Sequence, residues 1–226
     1  MSEDFSLLLA SSVHDMKNSL GMLLASLDEM TSDMTDMNDT QRRQFAVLQG
    51  EASRIRNDLV YLLGLYRLGV NDLVASVDEV FVDDFIDQQI AQNELLFNMR
   101  NIHVATQCEK GLTGFFDEEL VAGILNNVLV NAARYTISRI DIAAYKDAGW
   151  LCIDVTDDGA GFPEHMIEQA RDLGGAIDFK TGSTHLGLLF ANKISALHKS
   201  NDGRTGSIQI SNTPAGGHGR FCLRLP

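Results

Sequence analysis

The chain has 226 residues, of which 45% are hydrophobic and 22% charged, a composition typical of a globular protein of one or two domains. The chain has 31 acidic and 18 basic residues and therefore a formal net charge of -13. A negative charge disfavours binding to the phosphates of nucleic acid. The sequence contains no run of about 18 apolar residues and no signal-peptide pattern in its first ten residues. We therefore expect no nucleic-acid partner, no membrane span and a cytoplasmic location.

Three cysteines, Cys108, Cys152 and Cys222, lie far apart in the chain, each inside an apolar segment. Their number is odd and their spacing does not match a metal site. We expect buried, reduced thiols rather than disulfides or metal ligands.

The first 70 residues predict two long helices. Apolar residues recur alternately three and four positions apart, first at Val13, Met16, Leu20, Leu23, Leu27, Met30 and Met34, then at Phe45, Leu48, Ala52, Ile55, Leu59, Leu62 and Tyr66. Between them TSDMTDMNDT is a polar break with several helix-capping residue types. A lone antiparallel hairpin cannot hide a full apolar seam from water, so we expect a homodimer whose two hairpins form a four-helix bundle. The alternative is a monomeric bundle completed by another part of the chain.

The pattern changes after residue 70 to short β-prone runs that alternate with helical stretches, which predicts an α+β sandwich with helices on one face of a mixed sheet. The predicted strands are Val77–Val82, Ile102–Cys108, Ile140–Tyr145, Trp150–Val155, Ser207–Ser211 and Arg220–Leu225, and the predicted helices are Asp83–Arg100, Asp117–Tyr135 and Leu186–Leu197.

His14 is expected on the side of the first helix that faces away from the apolar seam. It directly follows the seam residue Val13, and Asn18 lies one helical turn further along, so both side chains should be exposed. Asp15 stands beside His14. An exposed imidazole is a competent nucleophile near neutral pH, and an adjacent carboxylate can hold its tautomer and accept its proton. An ordinary solvated helix surface would show the same three residues.

Two amides stand in an apolar segment further along. Asn127 and Asn131 are four residues apart in NNVLVNAARYT, on one face of a helix whose other positions are strongly apolar. Such amides need polar partners. They are either buried structural amides or ligands, and an amide oxygen is a suitable donor to Mg²⁺ carried by phosphates.

Glycines mark two later segments. In VTDDGAGF a carboxylate pair ends a predicted strand and runs into Gly159 and Gly161, where the backbone can approach a ligand closely. TGSTHLGLLFANKI places small residues and Gly187 before a helix, whose N-terminal amides can bind phosphate. Each segment alone is a weak signal, because most such turns are only turns.

Taken together, these segments resemble a known family. HDMKNSL resembles the phosphoacceptor box of sensor histidine kinases, NNVLVNAARYT their asparagine box, DDGAGF their first glycine box and THLGLLFANKI a modified second glycine box, in the family's order and separations. FAVLQGEASRIRNDLVYLLGLYRL is similar to the second helix of the family's dimerisation domain. The resemblance covers nearly the whole chain. It implies a dimerisation and histidine-phosphotransfer hairpin over residues 1–70 and a catalytic ATP-binding α/β sandwich of the Bergerat (GHKL) type over residues 71–226.

The resemblance also implies roles for the three residues of the first helix. His14 falls at the phosphorylated histidine and Asp15 at the acidic residue that acts as base. Asn18 falls at the residue that positions water for dephosphorylating a partner.

In the asparagine box, Asn131 matches the Mg²⁺ ligand and Asn127 the polar residue one turn earlier. Arg134 is implied to lie near the phosphates of ATP and Tyr135 near the nucleotide.

In the glycine boxes, Asp157 matches the carboxylate that accepts from the adenine amino group, a donor that only an acceptor can satisfy. Gly159 and Gly161 shape the turn. Gly187 and the start of its helix are implied to lie near the phosphates, and residues 162–184 to form a mobile lid over the nucleotide.

The chain departs from the family pattern at three points. His185 stands where the family usually has a glycine, so the backbone there is less free. The lid has no clear phenylalanine box, although Phe179 is a candidate. Neither a sensing domain nor a membrane span precedes HDMKNSL, so we expect input through a separate sensor protein or the bundle surface, unless the chain is a fragment.

The resemblance thus implies an ATP- and Mg²⁺-dependent protein-histidine kinase that phosphorylates the receiver domain of a response regulator and also dephosphorylates it. The alternative is a histidine phosphotransfer protein whose decayed ATP domain only docks receivers; the intact Asn127, Asn131, Asp157, Gly159 and Gly161 argue against it. A protein-serine kinase or ATPase on the same fold would leave HDMKN on a dimerising hairpin unexplained.

Overall fold

The structure, a computed structural model, describes residues 73–171, 186–213 and 218–226, and in the N-terminal part residues 12, 15, 16, 18–27, 30, 41, 44, 45, 48, 52, 55, 58, 59 and 64. The chain divides into two compact units, Met1–Leu73 and Val74–Pro226. None of the described helices is long and apolar enough to cross a membrane.

The N-terminal unit is helical at every described position, in agreement with the predicted helices. Its apolar residues form two stripes rather than one seam. One stripe is buried or half-buried and consists of Leu20, Leu24 and Leu27 in the first segment and Phe45, Ala52 and Leu59 in the second. Leu24, which the spacing did not mark, is only 8% exposed, whereas the predicted seam residue Leu23 is 47% exposed in the single chain.

The second stripe remains exposed in the single chain. Met16, Leu23 and Met30 follow at seven-residue spacing and are 53%, 47% and 46% exposed, and Leu48 and Ile55 on the second segment are 55% and 46% exposed. Positions seven apart lie on one side of a helix. The remaining seam residues, Val13, Met34, Leu62 and Tyr66, lie outside the described residues.

The described residues of the C-terminal unit form seven strands in two sheets. In chain order the strands are β1 (Asp78–Phe81), β2 (His103–Cys108), β3 (Thr113–Phe116), β4 (Arg139–Asp147), β5 (Trp150–Asp157), β6 (Ser207–Asn212) and β7 (Gly219–Leu225). The main sheet has the order β2-β4-β5-β7-β6, in which β2 pairs parallel to β4 and the other neighbours are antiparallel. β1 and β3 form a separate antiparallel pair.

In the same described part of the unit, four helices accompany the sheets: α1 (Val82–Met99), α2 (Glu118–Tyr135), α3 (Glu164–Arg171) and α4 (Leu186–Ser195). One face of the main sheet is apolar, because alternate strand residues point to the same side. Ile142, Val155 and Phe221 stand side by side on that face and are each at most 3% exposed. The core lies between this face and the helices, where Ile124, Leu129 and Ile194 are fully buried.

This architecture confirms the predicted α/β sandwich with a mixed sheet. All six predicted strands and all three predicted helices of residues 71–226 are present, with boundaries that shift by a few residues. Two elements were missed: β3, which has only four residues with a glycine among them, and α3, which lies in the expected lid.

The cysteines are free thiols, as predicted. Cys152 and Cys222 are buried. Cys108 is only half-buried, which corrects the prediction, because it ends the edge strand β2.

A buried histidine joins the end of α4 to the start of α2. His198 is 1% exposed; its Nε2 accepts from the Asp117 backbone N–H at 3.0 Å, and its Nδ1 lies 3.1 Å from the Ile194 carbonyl oxygen. Accepting at Nε2 requires the neutral ring. Burial lowers the pKa of His198, which favours the same form.

Candidate functional site

The two predicted amides lie on α2. The helix begins at Asp117, whose side chain accepts from the Leu120 backbone N–H at 2.9 Å as an N-cap. Asn127 is 7% exposed and Asn131 is exposed. The Asn131 Nδ2 donates to the Asn127 Oδ1 at 3.0 Å, so the buried amide has the polar partner that it needs.

The start of α4 packs directly on this pair. A Cβ added at Gly187 would lie 2.8 Å from the Asn127 Oδ1 and closer still to its Nδ2. Real Cβ atoms do not approach other atoms so closely, so glycine is required for this contact. The asparagine pair of α2 and the predicted second glycine box are therefore neighbours.

Asp157 ends β5 and is half-buried. Its Oδ1 accepts from the Gly159 backbone N–H at 2.9 Å. Burial raises the pKa of this carboxyl above its ordinary value of 3.8, partly offset by the Gly159 hydrogen bond, and the neighbouring Asp158 raises it further. A partly desolvated acceptor of this kind suits a ligand that brings a hydrogen-bond donor.

The turn after Asp157 requires both of its glycines. Gly161 has φ +78°, a left-handed conformation that favours glycine. A Cβ at Gly159 would lie against the carbonyl oxygen of Tyr135 and 2.7 Å from the Asp157 Oδ1. The turn therefore touches the end of α2.

Asp158 has a role that the sequence did not reveal. Its Oδ1 accepts from the backbone N–H groups of Ile137, Ser138 and Arg139 at 2.8, 3.0 and 3.1 Å and from the Thr136 hydroxyl. Its Oδ2 accepts from the Ser138 hydroxyl at 2.8 Å. Partial burial acts to raise the pKa of Asp158, but these hydrogen bonds prevail and hold it well below its usual range. Asp158 thus fixes the α2–β4 turn, while the adjacent Asp157 is left for a ligand.

Two further predicted residues lie at the end of α2. Arg134 is half-buried, and the side chain of Tyr135 is 67% exposed. The contact between Tyr135 and Gly159 runs through the tyrosine backbone. The end of α2 that carries these two residues therefore lies beside the turn that follows Asp157.

The donor set fits Mg²⁺ only as an ion carried by phosphates. Among the described residues no cluster of three or more histidines, cysteines or carboxylates could hold a metal. The internal hydrogen bond of the asparagine pair uses the Asn131 nitrogen and leaves its oxygen as an acceptor. One amide oxygen is an adequate protein ligand for Mg²⁺, which keeps its waters and takes most other ligands from phosphates.

The predicted phosphoacceptor site lies in the N-terminal unit. Asp15 and Asn18 are exposed there, as expected for Asn18, whereas His14 itself lies outside the described residues. Asp15 lies at an open groove between the two helical segments, lined by Ser12, Asp15, Met16, Ser19, Leu20, Ile55 and Leu59. Residues 172–185, with most of the expected lid, Phe179 and His185, also lie outside the described part of the chain.

Comparison with known proteins agrees with this geometry. Residues 116–226 match the family described as histidine kinase-, DNA gyrase B-, and HSP90-like ATPase. This match implies ATP binding by the C-terminal unit.

Curated relatives extend the similarity into the N-terminal unit. The chain is 22% identical over 187 residues to the sensor protein PhoQ of Escherichia coli K12, and 21% identical over 186 residues to the virulence sensor histidine kinase PhoQ of Salmonella typhimurium LT2. Each alignment covers 82% of this chain and 37% of the relative, so the chain spans about a third of the length of these relatives.

Solved structures share the fold. The structure of the histidine kinase AdeS of Acinetobacter baumannii aligns with a TM-score of 0.61 at 15% identity. The alignment covers 92% of this chain and 95% of the AdeS chain. The structure of full-length ShkA in complex with AMPPNP aligns with a TM-score of 0.66 at 20% identity. The alignment covers 97% of this chain and 45% of the ShkA chain. The family match, the curated relatives and the solved structures together support a sensor histidine kinase family for this chain.

Proposed function

We propose that the protein is an ATP-dependent protein-histidine kinase of a two-component system, which phosphorylates itself on His14 and passes the phosphoryl group to the aspartate of a response-regulator receiver domain. The observation that carries the proposal is the half-buried Asp157 carboxylate at a glycine turn that adjoins the asparagine helix. This arrangement lies within the segment that matches the ATPase family.

In this proposal Asp157 accepts from the amino group of adenine, and the Gly159–Gly161 turn lets the base approach the backbone. Arg134 and Tyr135 flank the nucleotide, and the helix start at Gly187 faces the phosphates. Mg²⁺, held by the Asn131 oxygen and the phosphates, would neutralise charge on the transferred group.

The chemical step requires little covalent chemistry from the protein beyond the His14 nucleophile. The imidazole of His14 attacks the γ-phosphorus of ATP, the bond to the departing ADP oxygen breaks, and Asp15 accepts the imidazole proton. Catalysis is then mainly positioning and charge neutralisation.

Dimerisation of the helical unit is part of the proposal. The exposed stripe of Met16, Leu23, Met30, Leu48 and Ile55 has the heptad spacing of a helix-bundle interface. A second copy would bury it in a four-helix bundle. We expect sedimentation at twice the mass of one chain, and a shift toward monomer in Leu23→Glu, whereas a wild-type monomer would support the single-chain bundle instead.

Calorimetry with Mg²⁺-ATP tests the nucleotide site. We expect binding in the micromolar-to-millimolar range, weakened about 5- to 150-fold in Asp157→Ala, because the adenine donor is left unpaired at a cost of about 1 to 3 kcal/mol. Asp147→Ala, an exposed carboxylate at the end of β4, is the matched control and should bind normally. A wild type that binds no nucleotide would favour the phosphotransfer protein with a decayed ATP domain.

We also propose that the protein dephosphorylates its regulator, with Asn18 orienting a water molecule for in-line attack. Asn18 is exposed and four residues from His14, so it can meet a docked receiver. Asn18→Ala should keep phosphorylation of His14 nearly intact while slowing loss of label from the pre-phosphorylated receiver in the presence of ADP. An unchanged rate of loss would remove the support for this second activity.

A further inference from the structure

The side chain of Asn212 forms two hydrogen bonds with the backbone at the end of the DDGAGF turn, which is distant in sequence. Asn212, the last residue of β6, accepts with its Oδ1 from the Phe162 N–H at 2.7 Å and donates with its Nδ2 to the Phe162 carbonyl oxygen at 2.9 Å. Both residues are half-buried. The side-chain amide therefore satisfies both backbone groups of Phe162, as a neighbouring strand would.

Two consecutive residues, His218 just before β7 and Gly219 at its start, approach the same turn at two further points. The His218 Nδ1 lies 3.4 Å from the Gly159 carbonyl oxygen, and a Cβ at Gly219 would lie 2.7 Å from the Asp157 Oδ2. The Thr213 N–H also donates to the His218 carbonyl oxygen at 2.8 Å, which ties the two strand ends together. The turn is thus bracketed at its start by β7 and at its end by Asn212.

We propose that Asn212 is a positioning residue of the nucleotide site, which acts through the Phe162 backbone to hold the Asp157 carboxylate in the orientation that accepts from the adenine amino group. This role rests on the proposed function, because it concerns the selectivity of that same site.

The physical reason is the freedom of the turn itself. Gly159 and Gly161 allow the close approach described above, but glycines also allow many other backbone conformations. Two hydrogen bonds to Phe162, from a residue 50 positions away, remove that freedom at the end of the turn. Without them, the Gly159 N–H can leave the Asp157 Oδ1, and the carboxylate can rotate.

A change in the preference for ATP over a second nucleotide distinguishes loss of Asp157 positioning from a general loss of stability. Inosine triphosphate carries a carbonyl oxygen where ATP carries the 6-amino group, so it makes the same phosphate contacts but presents an acceptor instead of a donor at that position; its N1–H donor lies one ring atom away. The experiment measures Mg²⁺-ATP and Mg²⁺-inosine triphosphate affinity of the full chain for wild type, Asn212→Ala and Asn212→Asp. Gln209→Ala, an exposed amide on the same strand, is the matched control.

We expect Asn212→Ala to bind ATP about tenfold more weakly, since two hydrogen bonds are lost, with little change for inosine triphosphate, so that the selectivity falls. Asn212→Asp keeps the acceptor but not the donor and should lose part of the selectivity; it carries the test if the alanine variant does not fold. Gln209→Ala should match wild type.

Equal weakening of both nucleotides, or an Asn212→Ala variant as selective as Gln209→Ala, would overturn the role of Asn212 while leaving the proposed kinase intact. A wild type that binds neither nucleotide would overturn the proposed function, and this role with it.

Discussion

The adjacent carboxylates Asp157 and Asp158 should respond in opposite directions to the same substitution. Asp158→Asn exchanges a charged acceptor for a neutral amide at the point where the α2–β4 turn is fixed. The amide oxygen can still accept from the three backbone N–H groups and the Thr136 hydroxyl. The amide nitrogen, however, cannot accept from the Ser138 hydroxyl as Oδ2 does.

The magnitude follows from these contacts. Charge-assisted hydrogen bonds are about twice as strong as neutral ones, but the donors here are largely exposed, so water can replace part of the loss. We expect Asp158→Asn to lower the free energy of unfolding by about 1–2 kcal/mol, comparable to losing a helix N-cap. In a unit of this size the midpoint of thermal unfolding should fall by about 4 °C.

The pH dependence gives the same prediction a second readout. Because the folded-state pKa of Asp158 lies below its ordinary value of 3.8, its stabilisation is present above that value and is lost as the pH falls through the folded pKa. Thermal unfolding of the two proteins at pH 7 and near pH 3 measures both effects. A variant as stable as wild type at pH 7, or a difference that grows on acidification, would refute the reasoning.

Three further predictions concern single residues of the C-terminal unit. Asp157→Asn should raise the stability of the nucleotide-free protein at pH 7, because burial raises the pKa of this carboxyl and disfavours its charge. The same variant should bind ATP more weakly, since a neutral amide replaces the charged acceptor. A less stable variant in thermal unfolding would contradict this. Burial lowers the pKa of His198, so the wild type should lose stability as the pH falls below 6.5. In thermal unfolding between pH 8 and 5, His198→Gln should show a weaker dependence of stability on pH. If stability fell equally in both proteins, His198 would be excluded as the source of the pH dependence. Gly187→Ala should weaken ATP binding, because the added Cβ would displace the Asn127 amide. Gly123→Ala is the control and should bind normally, since its Cβ would lie 3.6 Å from the Phe190 ring, an ordinary contact distance. Equal ATP affinities of the two variants in calorimetry would argue against a role for the Gly187 contact.

Local periodicity was sufficient to predict most of the C-terminal fold. The four-residue spacing of Asn127 and Asn131 placed them on one helix face, and their side chains are hydrogen-bonded. The short strand β3 was missed because four residues that include a glycine carry almost no periodic signal. In the N-terminal unit the spacing did not mark the buried Leu24, because which positions are covered within one hairpin depends on the neighbouring segment.

The site could be predicted only where its residues are close in sequence. The DDGAGF segment marked Asp157, but the partners of Asp158 lie 19 to 22 positions earlier in the chain, so nothing local indicated its structural role. Asn212 was missed for the same reason, since its contact with Phe162 spans 50 positions. Such pairings depend on the strand order of the sheet.

Incubation with γ-labelled ATP and Mg²⁺ tests the central claim most directly. Wild type should take up label that is lost in acid and retained in base, as expected for a phosphoramidate, and His14→Gln should take up none. The Asn18→Ala variant, with a substitution four residues further along the chain, should label normally and serves as the control. Equal labelling of wild type and His14→Gln, or label that is stable in acid, would contradict the assignment of this chain as a kinase acting on His14.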